Sequence, residues 1–266
     1  MEAISRTRRS SWQITKAVIF ALVLREFQTR FGEKRMGAFW VLFEPIAQIS
    51  IMMLIFTFIR IRSVPGMDFP VWLLTGMIPF FLMRNIALRL MDAVEANRAL
   101  FAYPNIKILD TYAARVIVEF VIFACVYAIL IFALGFWLGF DVSVAYPLRW
   151  IGSLVIGILF AVGLGICLSV IGQAMPNSKS FIRLLFMPLY LISGVIFPLW
   201  MIPNHLLPWV LWNPFAHIID NIRSSVFINY PEIPGINYEY PISITIVFLF
   251  FALGLYRIRR EHLLSK

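Results

Sequence analysis

The chain has 266 residues, of which 61% are hydrophobic and only 14% are charged. A soluble globular domain is about 45–50% apolar and about 25% charged, so this composition excludes that class and indicates a protein with several membrane spans. The formal net charge of +9 comes from basic residues at the edges of apolar segments, which argues against nucleic acid as a partner.

Residues 1–36 predict a cytoplasmic tail followed by an amphipathic helix on the membrane surface, from about Trp12 to Gly32. Phe27 and Phe31 are four residues apart, so a helix places them on one face. Cations lie between the apolar residues of this segment, at Arg25, Arg30, Lys34 and Arg35. Two interpretations stay open: the cations orient the first span, or the helix also receives an anionic lipid-linked substrate or a partner subunit.

The first predicted span covers about residues 37–59. A bilayer core of about 30 Å needs roughly 20 helical residues, so this segment can cross it. It contains Glu44, which lies either on a substrate pathway or near the headgroups, paired with Arg35. Phe39, Trp40 and Phe43 stand at its beginning, and such aromatic rings either stack on sugars or face lipid.

The second span begins near Phe69, and its uncharged run ends at Met83. It is too short to cross unless it includes Arg84 and possibly Arg89, which either extend toward the headgroups or line an opening for phosphate or carboxylate groups. The third span follows Asp110, and its Arg115 and Glu119 are predicted to pair on one helix face.

Three further spans are predicted at about residues 150–175, 181–197 and 240–256, which makes six. The fourth carries small residues at every fourth position, which indicate close packing either within one chain or between subunits. These residues are Ser153, Gly157, Ala161, Gly165 and Ser169.

Residues 198–222 contain four prolines, so they cannot form one continuous helix. Trp200, Trp209 and Trp212 recur between the prolines, and such amphipathic aromatics favour the membrane–water boundary. We therefore predict short re-entrant or interfacial helices here, between spans five and six.

The basic residues predict the orientation. With both termini in the cytoplasm, 19 of the 23 Lys and Arg residues fall on the inside, and only Arg60, Arg62, Arg149 and Arg223 lie outside. This asymmetry predicts a transmembrane domain over residues 37–257 and a cytoplasmic tail over residues 258–266.

Enzyme motifs are missing from the sequence. It contains no GxxxxGK[ST], HExxH, CxxC or GxSxG, so we predict neither catalysis, a metal site nor a bound cofactor in this chain. A membrane-bound glycolipid transferase would need clustered acids or histidines, and an ion-coupled transporter would need internal repeats with paired midplane charges, so both remain weaker alternatives.

Several motifs together resemble the ABC-2 type permeases, and within them the polysaccharide export branch that includes the KpsM-like capsular polysaccharide permeases. The resemblance covers nearly the whole chain. Its motifs are RE at residues 25–26, TRF at 29–31, MGAFW at 36–40, EP at 44–45, LLTGMIPFFLMRN at 73–85, EANRALFAYPNIKILDTYAAR at 95–115 and LWNPFAHIIDNIR at 211–223.

The resemblance implies a homodimeric export permease in the bacterial inner membrane, with two copies of a separate ATPase subunit that binds ATP and Mg. It implies that lipid-linked anionic capsular polysaccharide is the substrate and that a periplasmic co-polymerase and an outer-membrane export protein carry it onward. O-antigen, teichoic acid glycolipid or a small drug are alternative substrates within the same family.

The resemblance also implies roles for particular residues. Val94–Tyr103 would be the coupling helix that contacts the ATPase, through Glu95, Asn97, Arg98, Phe101 and Tyr103. Residues 198–222 would form a re-entrant helical hairpin between spans five and six that closes the channel on the periplasmic side, with Asn213, His217 and Arg223 in its motif beside the three tryptophans. The substrate would enter past Arg25, Arg30, Arg35, Phe39, Trp40, Phe43, Glu44, Arg84 and Arg89.

Overall fold

A computed structural model of the chain describes residues 10–32, 37–58 and 67–265. These ranges are helical almost throughout and contain no β-strand, which confirms the predicted all-α membrane class. The α-helices are α1 Ser11–Phe31, α2 Gly37–Phe58, α3 Phe69–Met91, α4 Ala93–Ala96, α5 Ile108–Phe132, α6 Pro147–Ala174, α7 Ser178–Ile192, α8 Leu207–Leu211, α9 Pro214–Val226 and α10 Glu239–Ser265. Three single turns supplement them, at Arg98–Ala102, Ala133–Trp137 and Leu199–Met201.

Local signals explain where several helices begin and end. Ser10 caps α1 in a capping box with Gln13, and Gly32, with φ of 62°, ends it. Pro147 and Pro214 stand in the first turn of α6 and α9, where a missing N–H costs no helical hydrogen bond. The segments predicted for the surface helix and the first two spans are confirmed as helices, namely α1, α2 and α3, with bounds close to those expected.

Five helices within the described residues are long and apolar enough to cross a membrane, namely α2, α3, α5, α6 and α10. The predicted fifth span is shorter than expected, because α7 has only 15 residues and ends before Ser193 and Gly194, which has φ of 71°. At 1.5 Å per residue this helix is about 22 Å long, less than a bilayer core of about 30 Å. The count of six spans and the re-entrant hairpin stay predictions.

Helix α3 lies at the centre of the molecule and packs against α5, α6 and α9. Within its apolar segment 83% of the residues are buried, against 11–39% in the other four long helices. The outer faces of those helices carry exposed large apolar residues such as Trp137 and Phe250. An apolar exterior around hydrogen-bonded helices is the arrangement that a lipid solvent requires.

The small residues of α6 face this central helix. A Cβ atom on Gly157 would come within 2.9 Å of the Met83 sulfur, and one on Gly165 within 3.1 Å of the Cα of Ala87. Ser153, Ala161 and Ser169 are buried as well. Close packing within one chain is therefore confirmed, and the alternative of a seam between subunits is wrong for this stripe.

The last helix continues beyond its predicted span. Helix α10 runs without interruption from Glu239 to Ser265, through most of the predicted tail at residues 258–266. It packs along α6 and leaves its other side exposed. The change from span to tail is thus marked by the basic residues at its end and not by a break in the helix.

Candidate functional site

A cleft of about 820 Å³ opens between α1, α2, α3, α5 and α7. It brings together four of the residues predicted for the substrate pathway, Arg30, Glu44, Arg84 and Arg89. Its volume lies within the range of about 300–1,000 Å³ that is typical of ligand sites. The remaining polar lining comes from Thr29, Gln48, Asn85, Asp92, Glu119 and Arg183.

Two of the cations in this cleft share one buried acid, Glu119, which is 1% exposed. Its Oε1 lies 2.5 Å from Arg30 Nη2 and 3.3 Å from Arg89 Nε. The predicted pair between Arg115 and Glu119 is wrong. Arg115 turns to α1 instead, where its Nε lies 3.4 Å from Glu26 Oε2.

The reason for this correction is the position of α1, which packs against α5 and presents its own charges there. Arg30 also pairs with Glu26 on the same helix at 3.4 Å, so the acids and cations of α1 and α5 alternate across the contact. When two helices contribute charges, one carboxylate can pair with cations on both helices, whereas an isolated pair at i and i+4 joins only two side chains of one helix.

Arg84 and Glu44 differ from the other charges in the cleft, because the structure gives neither an ion pair among the residues that it describes. The Nε of Arg84 is buried without a hydrogen-bond partner in those residues. By contrast, Arg183 at the mouth pairs with Asp92 at 2.7 Å. A ligand in the cleft therefore meets one cation and one acid that have no ion-pair partner among the residues that the structure describes.

Four other residues predicted for the pathway, Arg25, Phe39, Trp40 and Phe43, lie outside the cleft. Arg25 donates to the Oδ1 of Asn97 at 2.8 Å, on the side of α1 that faces the turn after α4. Phe39, Trp40 and Phe43 form a half-exposed cluster on α2, with ring centroids 4.9–5.8 Å apart, one turn before Glu44. Arg35 lies outside the described residues.

The predicted coupling helix consists of two short pieces, α4 and the turn Arg98–Ala102. Asn97 between them is buried, while Glu95, Arg98 and Tyr103 are exposed. Phe101 is partly buried against the core. This segment thus offers an exposed surface on an anchored backbone, which suits a docking role but does not by itself identify one.

An ion-pair cluster joins this segment to α7. Lys179 Nζ lies 2.5 Å from Glu95 Oε2 and 3.6 Å from Asp92 Oδ1. The hydrogen bond and the charge of Lys179 lower the pKa of Glu95 below its ordinary value. The predicted coupling segment and the start of α7 are therefore held together by charge.

At the opposite end of the molecule, the predicted outside cation Arg223 is buried within the protein, with 1% of its surface exposed. It donates to the carbonyl oxygens of Trp72 at 3.3 Å, Gly194 at 2.5 Å and Val195 at 2.7 Å. Its Cζ lies 3.6 Å from the centre of the Trp72 ring. Arg223 therefore fixes α9 to α3 and to the residues after α7, and it is not a surface charge.

Two other members of the predicted gate have structural partners. Asn213 caps α9 through the Phe215 amide and donates to Ser193 Oγ at 2.8 Å. His217 Nε2 lies 2.9 Å from the carbonyl oxygen of Leu211. These contacts tie the ends of α7, α8 and α9 together.

The three tryptophans predicted to belong to the gate differ in burial. Trp200 packs between Trp72 and Tyr230, at 6.1 and 5.4 Å between ring centroids. Trp209 and Trp212 are about four-fifths exposed, at 79% and 80%. The role of Trp72 was missed by sequence reasoning, because nothing in an apolar run distinguishes one buried aromatic residue from its neighbours.

Within residues 10–32, 37–58 and 67–265, no three His, Cys, Asp or Glu side chains gather closely enough to hold a metal ion. The charged groups of the site instead alternate in sign and line a cleft. Chemically, such a site can bind and orient an ionic polar group, and it contains no recognisable nucleophile and base pair.

Comparison with known proteins gives consistent matches. The model of the ABC-2 type transporter family matches residues 17–227. The polysialic acid transport protein KpsM of Escherichia coli is 37% identical over 260 residues, which cover 97% of this chain and 99% of that protein. The capsule polysaccharide export inner-membrane protein CtrC of Neisseria meningitidis is 31% identical over 220 residues, 80% of each chain. BexB of Haemophilus influenzae, which bears the same description, is 29% identical over 225 residues, 83% of each.

Proposed function

The chain belongs to the ABC-2 type transporter family, and on that premise we propose that it is the membrane subunit of an ATP-driven exporter of lipid-linked anionic capsular polysaccharide. The descriptions of KpsM, CtrC and BexB as transport or export proteins for polysialic acid and capsule polysaccharide support this substrate class. Their description as inner-membrane proteins supports the same location for this chain.

The observation that carries the proposal is the cleft with Arg84 and Glu44. A membrane span holds ionisable groups at a cost, so charges that have no ion-pair partner in the described part of the chain support a ligand pathway. Arg84 supplies a fork of N–H donors for a phosphate or carboxylate of the substrate. Glu44 accepts hydrogen bonds from sugar hydroxyls, and the exposed aromatic cluster beside it offers flat faces for sugar rings.

The energy source lies in a partner. The sequence has no P-loop, so ATP and Mg bind a separate ATPase subunit, of which the complex contains two copies around a homodimer of this chain. The exposed segment around Glu95, Arg98 and Tyr103 docks on that ATPase. A periplasmic co-polymerase and an outer-membrane export protein then take the polymer onward.

Export assays in cells test the assignment of the cleft. We expect Arg84→Ala, and the pair Trp40→Ala with Glu44→Ala, to abolish or strongly reduce surface capsule at normal expression of the protein. Arg149→Ala, a change of an exposed Arg at the other end of the molecule, serves as the matched control. Normal export by Arg84→Ala would remove this residue from the pathway.

A second experiment tests the class of transporter. Inactivation of the ATP site of the partner should stop export completely, whereas an ion-coupled transporter would continue. Analysis of the lipid-linked sugar that accumulates inside such cells identifies the substrate. Accumulation of O-antigen or teichoic acid glycolipid in place of capsule polymer would reassign the substrate while leaving the transport class intact.

A further inference from the structure

A second and smaller cavity lies beside the cleft, between α1, α3, α5 and the turn after α4, and it shares Thr29, Arg30 and Arg89 with the lining of the cleft. We name it the arginine pocket. It has a volume of about 250 Å³, and four arginines line it together with Glu26 and Asn97. The four are Arg25, Arg30, Arg89 and Arg115. The proposed pathway runs through the larger cleft, so this pocket needs its own explanation.

The charges around the arginine pocket do not balance. Guanidinium groups stay protonated in proteins, so the lining carries four positive charges against the single negative charge of Glu26. One more acid, Glu119, approaches Arg30 and Arg89 from outside the lining. Of the acids after α3, Asp92 is paired with Lys179 and Arg183, Glu95 is paired with Lys179, and Asp110 accepts from the backbone N–H of Lys107. The four arginines thus exceed Glu26 and Glu119, the described acids that pair with them, by two positive charges.

One arginine of the pocket, Arg115, also lacks a hydrogen-bond acceptor for one of its nitrogen atoms. The residue is 7% exposed, and its Nε is buried without a hydrogen-bond partner in the described part of the chain. The carboxylate of Glu26 is the nearest acid, at 3.4 Å, and the other recorded donation of Arg115 goes to the carbonyl oxygen of Arg89 at 2.6 Å. Buried polar groups are normally satisfied, so the Nε–H of Arg115, which has a carboxylate nearby but no hydrogen bond, indicates that the cavity has room for a further acceptor.

We propose that the arginine pocket binds a phosphate-class oxyanion, either the headgroup of an anionic phospholipid or a soluble phosphate. Arginine forks match the oxygens of phosphate, and the two unbalanced charges match its negative charge. A volume of 250 Å³ holds roughly eight water-sized groups at about 30 Å³ each, which is enough for the five heavy atoms of a phosphate and part of what it is attached to.

The arginines of the pocket also reach across several elements. Arg25 reaches from α1 to Asn97 beside α4, and Arg115 reaches from α5 to α3. An anion among these guanidinium groups would draw α1, α3 and α5 toward the predicted docking segment. Binding at this site would therefore stabilise the arrangement of α1, independently of which polymer is exported.

Thermal unfolding of the full purified chain tests the proposal with two probes. Inorganic phosphate is titrated against the delipidated protein in a neutral detergent, with chloride at equal ionic strength as the reference. In parallel, the protein is placed in nanodiscs of phosphatidylcholine with and without phosphatidylglycerol. Stabilisation by both probes identifies a general phosphate site, stabilisation by phosphatidylglycerol alone a lipid headgroup, and stabilisation by phosphate alone a soluble ligand.

Variants then assign the effect to the pocket. Arg25→Gln should weaken phosphate or phosphatidylglycerol binding about tenfold, while Arg149→Gln, on an exposed arginine elsewhere, should leave it unchanged. Arg115→Gln should do the same as Arg25→Gln, which covers the case in which one variant fails to fold. Glu26→Gln should act in the opposite direction and tighten anion binding about tenfold, because it removes the acid that competes for Arg30 and Arg115.

The sign of the Glu26 effect separates the proposal from a purely structural ion-pair network. If the arginines only dock α1 on α5, Glu26→Gln destabilises the protein and neither phosphate nor phosphatidylglycerol restores it. That result would overturn the proposal, as would equal stabilisation of the unaltered chain, Arg25→Gln and Arg149→Gln by either probe. Loss of export with intact anion binding would bear on the proposed function alone.

Discussion

Replacement of Arg223 tests the most highly connected side chain in the structure. In Arg223→Gln, the carbonyl oxygens of Trp72, Gly194 and Val195 lose a charged donor in a site that water does not reach. Each hydrogen bond to a charged group contributes about 1.5–3 kcal/mol, and a desolvated cation over an aromatic ring about 2 kcal/mol. Removal of the buried charge itself offsets part of this loss.

The net loss expected for Arg223→Gln is about 3–5 kcal/mol, the range found when one member of a buried ionic network is removed. Unfolding of the purified protein in mixed micelles, followed by tryptophan fluorescence, measures it. Arg149→Gln is the matched control. Arg149 is exposed, and its contact with the Tyr146 ring at 5.0 Å contributes only about 0.5–1 kcal/mol.

Gly76 provides an independent check of the same geometry. A Cβ atom there would come within 2.1 Å of Nη2 and 2.8 Å of Cζ of Arg223, which three carbonyl groups hold in place. Gly76→Ala should therefore cost about 1–3 kcal/mol by overpacking, and less in the Arg223→Gln background, where the shorter side chain leaves room. Two results would contradict this geometry. One is equal stability of Arg223→Gln and Arg149→Gln, and the other is strict additivity of the effects of Gly76→Ala and Arg223→Gln.

Three further predictions concern other charges. Glu119→Gln removes the acid shared by Arg30 and Arg89, so it should lower the unfolding free energy by about 3–5 kcal/mol and speed amide hydrogen exchange in α1. Unchanged exchange in α1 would contradict the packing of α1 on α5 through these charges. Lys179→Gln should lower the unfolding free energy by about 1.5–3 kcal/mol, because the ammonium group of Lys179 is largely buried. Glu95→Gln should lower it by less than about 1 kcal/mol, because that carboxylate is exposed. Equal decreases in the two unfolding experiments would contradict this difference. Burial raises the pKa of Asp220 from its ordinary 3.8 to about 6, even though the Tyr230 hydroxyl donates to it. Folding therefore favours the protonated acid, and the unfolding free energy should rise by up to about 3 kcal/mol as the pH falls from 7 to 4. Unfolding measured at several pH values checks this, and Asp220→Asn should lose that part of the pH dependence.

The sequence predicts the helices of this protein well because each signal is local. Apolar runs of sufficient length, Ser10 before α1 and the prolines at the starts of α6 and α9 act on residues a few positions away. The end of α7 was placed too late for the same reason, since its apolar run continues past Ser193. What ends the helix is the backbone at Gly194, whose neighbouring carbonyl groups bind Arg223 from a distant part of the chain.

The partners of the charged residues could not be predicted in the same way. Periodicity places Arg115 and Glu119 on one helix face, but it contains no information on which other helix covers that face. Once α1 packs there, Glu26 and Arg30 become the partners. The burial of Arg223 could not be predicted either, because a lone arginine near aromatic residues has the same sequence pattern whether it is exposed or enclosed.

The two ends of the molecule satisfy their charges by different means, and this difference bears on where it can move. At the Arg223 end, a single guanidinium group binds backbone carbonyl oxygens of α3 and of the residues after α7, so separation of these elements exposes several unsatisfied groups at once. At the other end, side-chain ion pairs join α1, α4 and α7 to α3 and α5. Ion pairs with an exposed member, such as Arg183 with Asp92 and Lys179 with Glu95, exchange partners at little cost, because water and other charges replace what is lost. The buried pairs of Glu119 and Arg115 instead hold α1 on α5. A conformational change driven from the predicted docking segment is therefore expected to shift α7 by rearranging its ion pairs, while α3, α6 and α9 move together as the rigid core.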